Sequence, residues 1–536
     1  MQFDQLRRRE SRQTANKAVA NFRAAVFLAI AAGLLAWSTH WSAEFDLYSV
    51  ACDQFGYSRQ AELFRTNGIV KGLDTRFDAP EAELLIDVAK SVTSDSALWT
   101  LAVAPTCGYY NAAVDRVILM FPPGTGLILS LLPENRALGV IFVIGMTLIS
   151  VVFVSVVASR YPGTLPTVAT IAVLGLIQVP MTQIDNYTNP PLVPCVALIP
   201  LFAWLTLEGF PKNRWASTAL ALLLGLVAGA LCTIRITNVF LLSGVGLAIT
   251  VNQKLWQPSM IRRLLPSLIA GFIGFAISIA PLLAANWINA GGPLTSTYAP
   301  FYHVINPTLQ VIIGHLRYCL APQWPDPLGP MAFLMRATAP IALVAVILSA
   351  RFFWRSGAWV GATVCYVCSL VFISMDDIPM PLYYMFPASV MTLSLLTIGL
   401  ITRTENGHVM ARSLVFAVPL VCIALFSCAT LVPRDHNAVV PIEVTAPQAI
   451  VWAGMTSGTM LSYAHKYTAD VDYKNICAYE AIMRRISALG RPQYLIEEEG
   501  SSRRALEILK TVVHFERSGD LELLVQLSET EGLILS

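Results

Sequence analysis

The residues that could do chemistry are a few polar side chains that lie beside long apolar segments. Asp53, with Gln54 and Tyr57 close behind it, opens a polar stretch directly after the first apolar segment. A carboxylate held there could act as a general base and take the proton from an attacking hydroxyl group. Asp185 follows another apolar segment and is a second carboxylate that could take this role.

Two arginines could bind an anion near these carboxylates. Arg235 lies between two apolar segments, with Ile234 and Ile236 on either side. An arginine at such a depth is costly and normally faces a cavity or an anionic partner. Its planar guanidinium suits phosphate oxygens. Arg59, six residues after Asp53, is a weaker candidate for the same role.

Each of these residues also has a structural interpretation. Asp53 could be the N-cap of a helix that starts near Phe55. Asp185 could be a solvated carboxylate in a loop. Arg235 could extend its guanidinium to the lipid headgroups while its methylene groups stay among apolar side chains. The residue types alone leave these alternatives open.

The composition predicts a membrane protein. Of the 536 residues, 55% are hydrophobic and 13% are charged, whereas a soluble domain carries about 25% charged residues. The net charge of +2 is too small to indicate a nucleic-acid partner, and no basic run with interleaved aromatic residues is present. We therefore expect an integral, multi-pass protein of the inner or plasma membrane.

The basic residues predict how the chain crosses the membrane. The segment 1–23 is basic and precedes a first apolar segment at 24–40, which predicts a cytoplasmic amino terminus and an uncleaved signal anchor. Further basic residues fall in alternate connections, so the first polar loop (41–117) and the carboxyl terminus are expected on the exported side. The other predicted spans are 136–158, 165–183, 190–207, 216–232, 236–251, 264–288, 331–350, 358–373, 380–400 and 413–431.

The predicted fold is mainly α: a transmembrane bundle of about 11 spans over residues 24–432, followed by a small exported α/β domain over 433–536. In that last region strands and helices alternate. It has no phosphate-binding glycine loop and no hydrolase triad spacing, so we expect an accessory domain that covers the outer mouth. Its predicted strands are 449–453, 493–496 and 521–527, and its predicted helices are 458–465, 476–489 and 502–511.

The cysteines give little sign of a cofactor. Cys52 and Cys107 share the first polar loop and could form a disulfide on the exported side. The spacing of Cys365 and Cys368 imitates a metal or redox pair, but no second pair of ligands accompanies it. The sequence does not indicate a cofactor, nor does it indicate a divalent metal.

Five short motifs follow one another along the chain. They are Cys52-Asp53-Gln54-Phe55-Gly56-Tyr57, Phe121-Pro122-Pro123-Gly124-Thr125-Gly126, Ile234-Arg235-Ile236-Thr237-Asn238, Gly292-Pro293-Leu294-Thr295-Ser296-Thr297-Tyr298 and Pro381-Leu382-Tyr383-Tyr384-Met385-Phe386-Pro387. Their order and spacing resemble the GT-C class of membrane glycosyltransferases, which includes protein O-mannosyltransferases and the lipid A aminoarabinose transferases. The resemblance extends over residues 24–431 and implies the GT-C fold.

The sequence departs from the pattern of that class at three positions. Gln54 replaces the second acid of the Asp-Glu-x-x-Tyr motif, and Ile236 replaces the proline of the Arg-Pro-Thr-Asn element. No arginine precedes Tyr383 in the motif that starts a late span. The first departure weakens any role for a divalent metal at the first motif.

The resemblance implies transfer of a sugar from a polyprenyl-phosphate donor to a lipid, glycan or protein acceptor on the exported side. It implies Asp53 as the general base with Asp185 in reserve. Arg235 would be the leading contact to the donor phosphate and Arg59 a weaker one. The substrate pocket would include Gln54, Tyr57, Tyr298 and Tyr383, although Tyr298 and Tyr383 would otherwise be interfacial aromatic residues.

Two other functions compete with this one. A lipid-linked glycan polymerase or ligase would be expected to have paired arginines in a large outer loop. The predicted outer loop at 289–330 contains a single arginine, Arg317. A transporter or flippase would be expected to carry charged residues near the middle of the bilayer and inverted repeats, and neither pattern is detected in the sequence.

Overall fold

The computed structural model describes part of the chain. The described residues are 52–95, 99–105, 108–131, 213–297, 313–314, 316–317, 330–374, 385–404, 450–453, 468–470, 476–491, 493–497 and 521–526. The predictions for the amino terminus, for the spans before residue 213 and for the span at 413–431 lie outside these residues.

The described part is mostly helical. Its helices are α1 (Cys52–Lys71), α2 (Pro80–Val92), α3 (Pro123–Ser130), α4 (Arg214–Ile234), α5 (Asn238–Asn252), α6 (Pro258–Ala290), α7 (Pro330–Phe353), α8 (Gly357–Ser374), α9 (Phe386–Thr404) and α10 (Ile476–Ala488). Its strands are β1 (Gly108–Asn111), β2 (Arg116–Leu119), β3 (Ile450–Ala453), β4 (Thr468–Asp470), β5 (Gln493–Glu497) and β6 (Leu521–Gln526). β1 and β2 form an antiparallel hairpin, and the other strands form a parallel sheet in the order β4-β3-β5-β6.

Within the described residues, α4 and α6 are long and apolar enough to cross a membrane, judged by length and composition. The core helix of a soluble protein is mostly buried, but only 17% of the most apolar window of α6 is buried. This helix exposes Ile269, Phe272 and Ile277 along its length. A row of exposed apolar side chains of this size fits a lipid environment better than water.

α4 and α6 pack closely through small and hydroxyl-bearing residues. The hydroxyls of Ser217 and Ser267 are 2.8 Å apart, and Thr233 Oγ1 donates to the carbonyl oxygen of Ser278 at 2.8 Å. Between these two pairs, Gly225 leaves no room for a Cβ against the backbone of α6. Such interfaces are typical of helices that associate within a membrane. Because the paired residue numbers rise together, the two helices run parallel.

α5 and α8 pack antiparallel. Gly244 of α5 contacts Gly361 of α8, and the backbone N–H of Gly357 donates to Asn252 Oδ1 at 3.0 Å. α8 is also antiparallel to α7 and α9, since its residue numbers rise as theirs fall. The pairs joined by hydrogen bonds are Trp359 with Val346, Tyr366 with Ala339, Cys365 with Ala388 and Thr392 with Ala362.

These directions agree with the predicted alternation of the helices. They bring the basic residues Arg214, Arg262, Arg351 and Arg355 to one end of the set. The first polar loop contacts α6 at the opposite end, at Asn289. The 27 residues from Arg262 to Asn289 correspond to about 40 Å of helix, enough to separate the two ends by the thickness of a bilayer core.

The first polar loop contains the helices α1 and α2, of which α2 is amphipathic. α1 is interrupted at Gly68, which has a φ of 76°. The hairpin β1–β2 was not predicted. Its strands are short and buried, with Tyr109, Val117 and Ile118 fully covered, so they lack the alternation of apolar and polar residues that marks a half-exposed strand.

The carboxyl-terminal elements largely match their predictions. The predicted strands 449–453, 493–496 and 521–527 correspond to β3, β5 and β6, and the predicted helix 476–489 corresponds to α10. β4 was not predicted. The predicted helices 458–465 and 502–511 lie outside the described residues, and the separate α/β domain stays a prediction.

Asp115 closes the turn between β1 and β2 with a positive φ of 51°. Its Oδ1 accepts hydrogen bonds from Lys90 Nζ at 2.6 Å and from the Tyr110 hydroxyl at 2.9 Å. The hydrogen bond from Lys90 is the largest cause of the lowered pKa of Asp115. Because the side chains of Lys90 and Asp115 are 41% and 56% exposed, their attraction stabilises the fold little. The left-handed backbone costs most other residues about 1–2 kcal/mol.

We therefore expect Asp115→Asn, which keeps a residue tolerant of positive φ, to lower the free energy of unfolding by less than about 1 kcal/mol. Asp115→Ala should cost about 1–2 kcal/mol more. The lowered pKa means that the charge contribution of Asp115 is present above the ordinary value of 3.8 and is lost as the pH falls through the folded value. Denaturant unfolding of both variants in detergent at neutral and acidic pH measures this. Equal losses would show that the backbone conformation is not the larger effect.

Candidate functional site

The start of α3 is the point where several of the predicted motifs meet. The sequence predicts a short apolar helix beginning at residues 121–124, and α3 confirms it. A Cβ on Gly124 would come within 2.6 Å of the backbone nitrogen of Ile234, and a Cβ on Gly126 within 2.9 Å of Gln60 Oε1. The two glycines therefore let α3 lie directly against the end of α4 on one side and α1 on the other.

α1 is fixed to the segment that precedes α3. Tyr57 is buried, and its ring centroid lies 4.6 Å from that of Phe121. Gln60 is buried as well, and its Nε2 donates to the carbonyl oxygen of Phe121 at 2.7 Å. The ring of Tyr57 therefore packs in the contact between α1 and the segment that precedes α3.

Asp53 and Gln54 lie within α1 as the structure describes it, Cys52–Lys71. Because Cys52, which precedes Asp53, is already helical, Asp53 is not the N-cap, which precedes the first helical residue. Asp53 precedes Gln60 by seven residues, or about two turns, so the two positions share one face of α1.

Arg235 occupies the predicted break between two apolar helices. It is the C-cap of α4, with an extended backbone at φ −153°, and its N–H donates to the carbonyl oxygen of Leu231 at 2.9 Å. Asn238, which opens α5, donates its Nδ2 to the same oxygen at 2.8 Å. Arg235 is only 7% exposed, so it does not extend to the surface as the headgroup interpretation requires. The negative end of the α4 dipole favours its charge.

Arg59 is already engaged with a carboxylate. Its Nη1 donates to Glu62 Oε2 at 2.7 Å, and both side chains are about one-third exposed, at 33% and 35%. Its place as the weaker phosphate contact stays a prediction. A phosphate would have to compete with Glu62 for this guanidinium.

Two buried polar residues near the start of α3, Gln60 of α1 and Thr125 of α3, were not identified from the sequence. Gln60 Oε1 and Thr125 Oγ1 make no hydrogen bond with the part of the chain that the structure describes. An unsatisfied buried polar atom costs about 1–3 kcal/mol, so it commonly meets a water molecule or a ligand. The seven-residue spacing from Asp53 was the signal that could have singled out Gln60. Thr125 carried no such signal beyond its place in the Pro-Pro-Gly motif.

The fourth motif, at the end of α6, joins the same region. Thr297 Oγ1 donates to the carbonyl oxygen of Met120, just before α3, at 2.8 Å. Asn286 Nδ2 donates to the carbonyl oxygen of Pro293 at 3.2 Å and holds the turn that follows α6. The outer connection after α6 is therefore tied to the start of α3.

Asn289 links the end of α6 to the first polar loop. Its Oδ1 accepts from the backbone N–H of Thr75 at 2.9 Å, and its Nδ2 donates to the carbonyl oxygens of Leu73 at 2.8 Å and Ala285 at 2.9 Å. Its own carbonyl oxygen accepts from Asn111 Nδ2 at 3.0 Å. Sequence reasoning missed this residue, because nothing nearby in the chain indicates partners about 214 residues away.

Several predicted site residues are not placed. Asp185, Tyr298 and Tyr383 lie outside the described residues, as does Cys107, so the disulfide between Cys52 and Cys107 stays a prediction. Among the residues that the structure does describe, no group of three or more His, Cys, Asp or Glu side chains is arranged to hold a metal ion.

Fold and site together define a mostly helical protein with two helices able to cross a membrane and a polar junction at the end of one of them. The junction is formed by α1, the start of α3 and the break between α4 and α5. Comparisons with protein-family models and with curated proteins found no match.

Proposed function

We propose that this protein is a membrane glycosyltransferase that moves a sugar from a polyprenyl-phosphate donor to a lipid, glycan or protein acceptor on the exported side. The observation that carries the proposal is the contact of three motifs at the start of α3. The helix with Asp53, the Pro-Pro-Gly turn and the segment with Arg235 come from distant parts of the chain and pack without room for a Cβ. Thr297 of the fourth motif is bonded beside them.

The residues suggest a single displacement. The Asp53 carboxylate takes the proton of the acceptor hydroxyl while that oxygen attacks the anomeric carbon, a contribution of typically about 10²–10⁴-fold in rate. The bond from the anomeric carbon to the phosphate oxygen breaks, and polyprenyl phosphate leaves. This anion is stable without protonation, so no general acid is required. Arg235 stabilises the charge that develops on the phosphate, and one displacement inverts the anomeric centre.

The membrane setting supports this chemistry. A polyprenyl chain does not leave the bilayer, so the site must lie at headgroup depth beside lipid. Arg235, at the end of α4, and Asn289, at the end of α6, lie at the end of the helices opposite to Arg214 and Arg262. If the basic end is cytoplasmic, the junction faces the exported side.

The transporter alternative finds less support in the described helices. The charged residues of α4 to α9 lie toward the helix ends, whereas transport of an anion through the bilayer calls for polar sites near its middle. A polymerase or ligase would use the same kind of carrier lipid, and the products distinguish it from a transferase that adds one sugar.

We expect Arg235→Ala to weaken binding of the polyprenyl-phosphate donor by about 10- to 100-fold, since hydrogen bonds to a charged group contribute about 1.5–3 kcal/mol. Binding of the acceptor should change much less. Titration of each substrate against the purified protein in detergent measures both, with Arg214→Ala, at the exposed opposite end of α4, as the matched control. An equal loss of donor and acceptor affinity would identify Arg235 as a structural residue.

The proposed function is tested by mass spectrometry of envelope glycolipids and glycans from cells with and without the protein. We expect one sugar-bearing product to disappear and its acceptor without that sugar to accumulate, with recovery when the wild-type chain is supplied. Loss of the product together with a lipid-linked glycan retained on the cytoplasmic side would instead support the transporter, and unchanged products would overturn the proposal.

A further inference from the structure

One hydrophobic core contains residues from both ends of the chain. Leu85 and Trp99 of the first polar loop are buried together with Trp452 of β3 and with Ile482 and Met483 of α10. Each is no more than 2% exposed. α10 packs directly on α2. The first polar loop and the carboxyl-terminal elements therefore share their apolar interior.

The buried face of α2 is covered from two sides, by residues of the loop such as Trp99 and Tyr110 and by residues of β3 and α10. α2 is amphipathic, and the buried face formed by Leu85, Ile86 and Ala89 belongs to the same core as α10. Two tryptophans, Trp99 and Trp452, are among the largest fully buried side chains, and a buried aromatic residue removes about 150–250 Å² from water. Separating the two segments would expose this surface.

We propose that β3 and α10 complete the fold of the first polar loop and thereby position α1. Because two segments that share one hydrophobic core must lie on one side of a membrane, the chain between Leu119 and Ile450 crosses it an even number of times. This inference goes beyond the proposed function and does not depend on its chemistry. It replaces the expected accessory domain that covers the outer mouth with a structural partner for the loop.

A continuous set of contacts leads from the shared core to α1. Val117 of β2 belongs to the core, and its carbonyl oxygen accepts from the N–H of Phe77 at 2.9 Å. Phe77 lies in the connection after α1, two residues beyond Thr75, which is bonded to Asn289 at 2.9 Å. A shift of the core would therefore move the connection that holds the end of α1 against α6.

The shared core also has a consequence for folding. α2 and the hairpin are synthesised long before β3 and α10, so the core of the loop lacks the side chains of these two elements until the end of the chain reaches the same side of the membrane. Contacts of this sequence separation are slow to form. The loop is thus expected to reach its final structure only after the last span has been inserted.

The shared core is tested with a cysteine at a buried position of α2, Ala89→Cys, which is 0% exposed. We expect a small maleimide to leave this cysteine unmodified in the full chain but to modify it when Met483→Asp places a charge in the core from α10. Arg485→Asp, on the exposed face of the same helix, is the matched control and should leave it protected. Peptide-resolved mass spectrometry distinguishes residue 89 from the native cysteines.

Two further variants keep this test decisive if Met483→Asp fails to accumulate. Met483→Ala removes side-chain volume without adding charge and should raise the labelling rate of the cysteine at position 89 by a smaller factor. In the reciprocal experiment, Leu85→Asp in α2 should expose a cysteine placed at Ile486 of α10. Full protection of both cysteines in these variants would overturn the shared core.

The crossing parity is tested with cysteines at two exposed positions, Asp87→Cys in α2 and Arg485→Cys in α10. We expect a membrane-impermeant maleimide to label both on intact cells. Label on one and protection of the other would overturn the inference. Protection of both would leave the inference standing and would instead contradict the exported side of the proposed function.

Discussion

Replacing Asp53 by Asn is expected to leave the protein folded and inserted but to lower its transfer rate by about 10²–10⁴-fold, the usual contribution of a general base. Asparagine has nearly the shape of aspartate but cannot take the proton of the acceptor hydroxyl. Asp53 lies within α1, and asparagine is tolerated as a helical residue. Turnover of the purified variant in lipid vesicles, with a polyprenyl-phosphate sugar as donor, measures the loss.

Two further variants test whether the loss of rate comes from the carboxylate at position 53. Asp87→Asn removes the same charge from an exposed position of α2 and should keep the wild-type rate. Asp53→Glu keeps a carboxylate but moves it by about one bond, so an intermediate rate is expected, since small displacements of a catalytic group are costly. Full turnover by Asp53→Asn would remove Asp53 as the base and leave Asp185 as the carboxylate to examine.

Replacing Asn289 is expected to give the largest loss of stability. This residue is 1% exposed and joins α6 to the first polar loop through both atoms of its amide. Asn289→Leu would leave the N–H of Thr75 and the carbonyl oxygen of Leu73 buried without these partners. Each such group costs about 1–3 kcal/mol, so we expect a loss of several kcal/mol and a lower temperature of unfolding. Heating in detergent followed by size-exclusion chromatography measures it.

Asn289→Asp and Thr297→Val separate the causes of this loss. The carboxylate of Asn289→Asp could still accept from the N–H of Thr75, but it could not donate to the carbonyl oxygens of Leu73 and Ala285. Asn289→Asp should therefore lower the stability of the protein as much as Asn289→Leu does. Thr297→Val removes the single hydrogen bond to Met120 and should cost about 1 kcal/mol. If Asn289→Leu cost no more than Thr297→Val, Asn289 would not be the link between helix and loop.

The apolar helices were predictable because their signal is local. The predicted spans 216–232, 236–251 and 264–288 correspond to α4, α5 and α6, with the largest difference at the start of α6, which begins at Pro258. A long apolar run must form a helix in lipid, since every backbone polar group has to be satisfied within the segment. The break at Arg235 was predictable for the same reason, because a charged residue cannot continue such a run without a special setting.

The start of α3 was predictable from its own residues. Two prolines suit the first positions of a helix, where backbone N–H groups lack helical partners. What the glycines of this motif do could not be predicted. Gly124 and Gly126 each face a different helix, α4 and α1, and that requirement depends on how distant segments come together.

The sequence by itself determined the mostly helical character of the described part, its apolar helices, and a short set of polar residues that could take part in chemistry. These follow from composition, periodicity and charge within windows of about 20 residues. The tertiary structure decided which of those residues meet. It placed Arg235 in the interior, tied Gln60 to Phe121 and buried Trp452 beside Trp99. The physical reason is that burial and hydrogen bonding between segments far apart in the chain leave no periodic trace in either one.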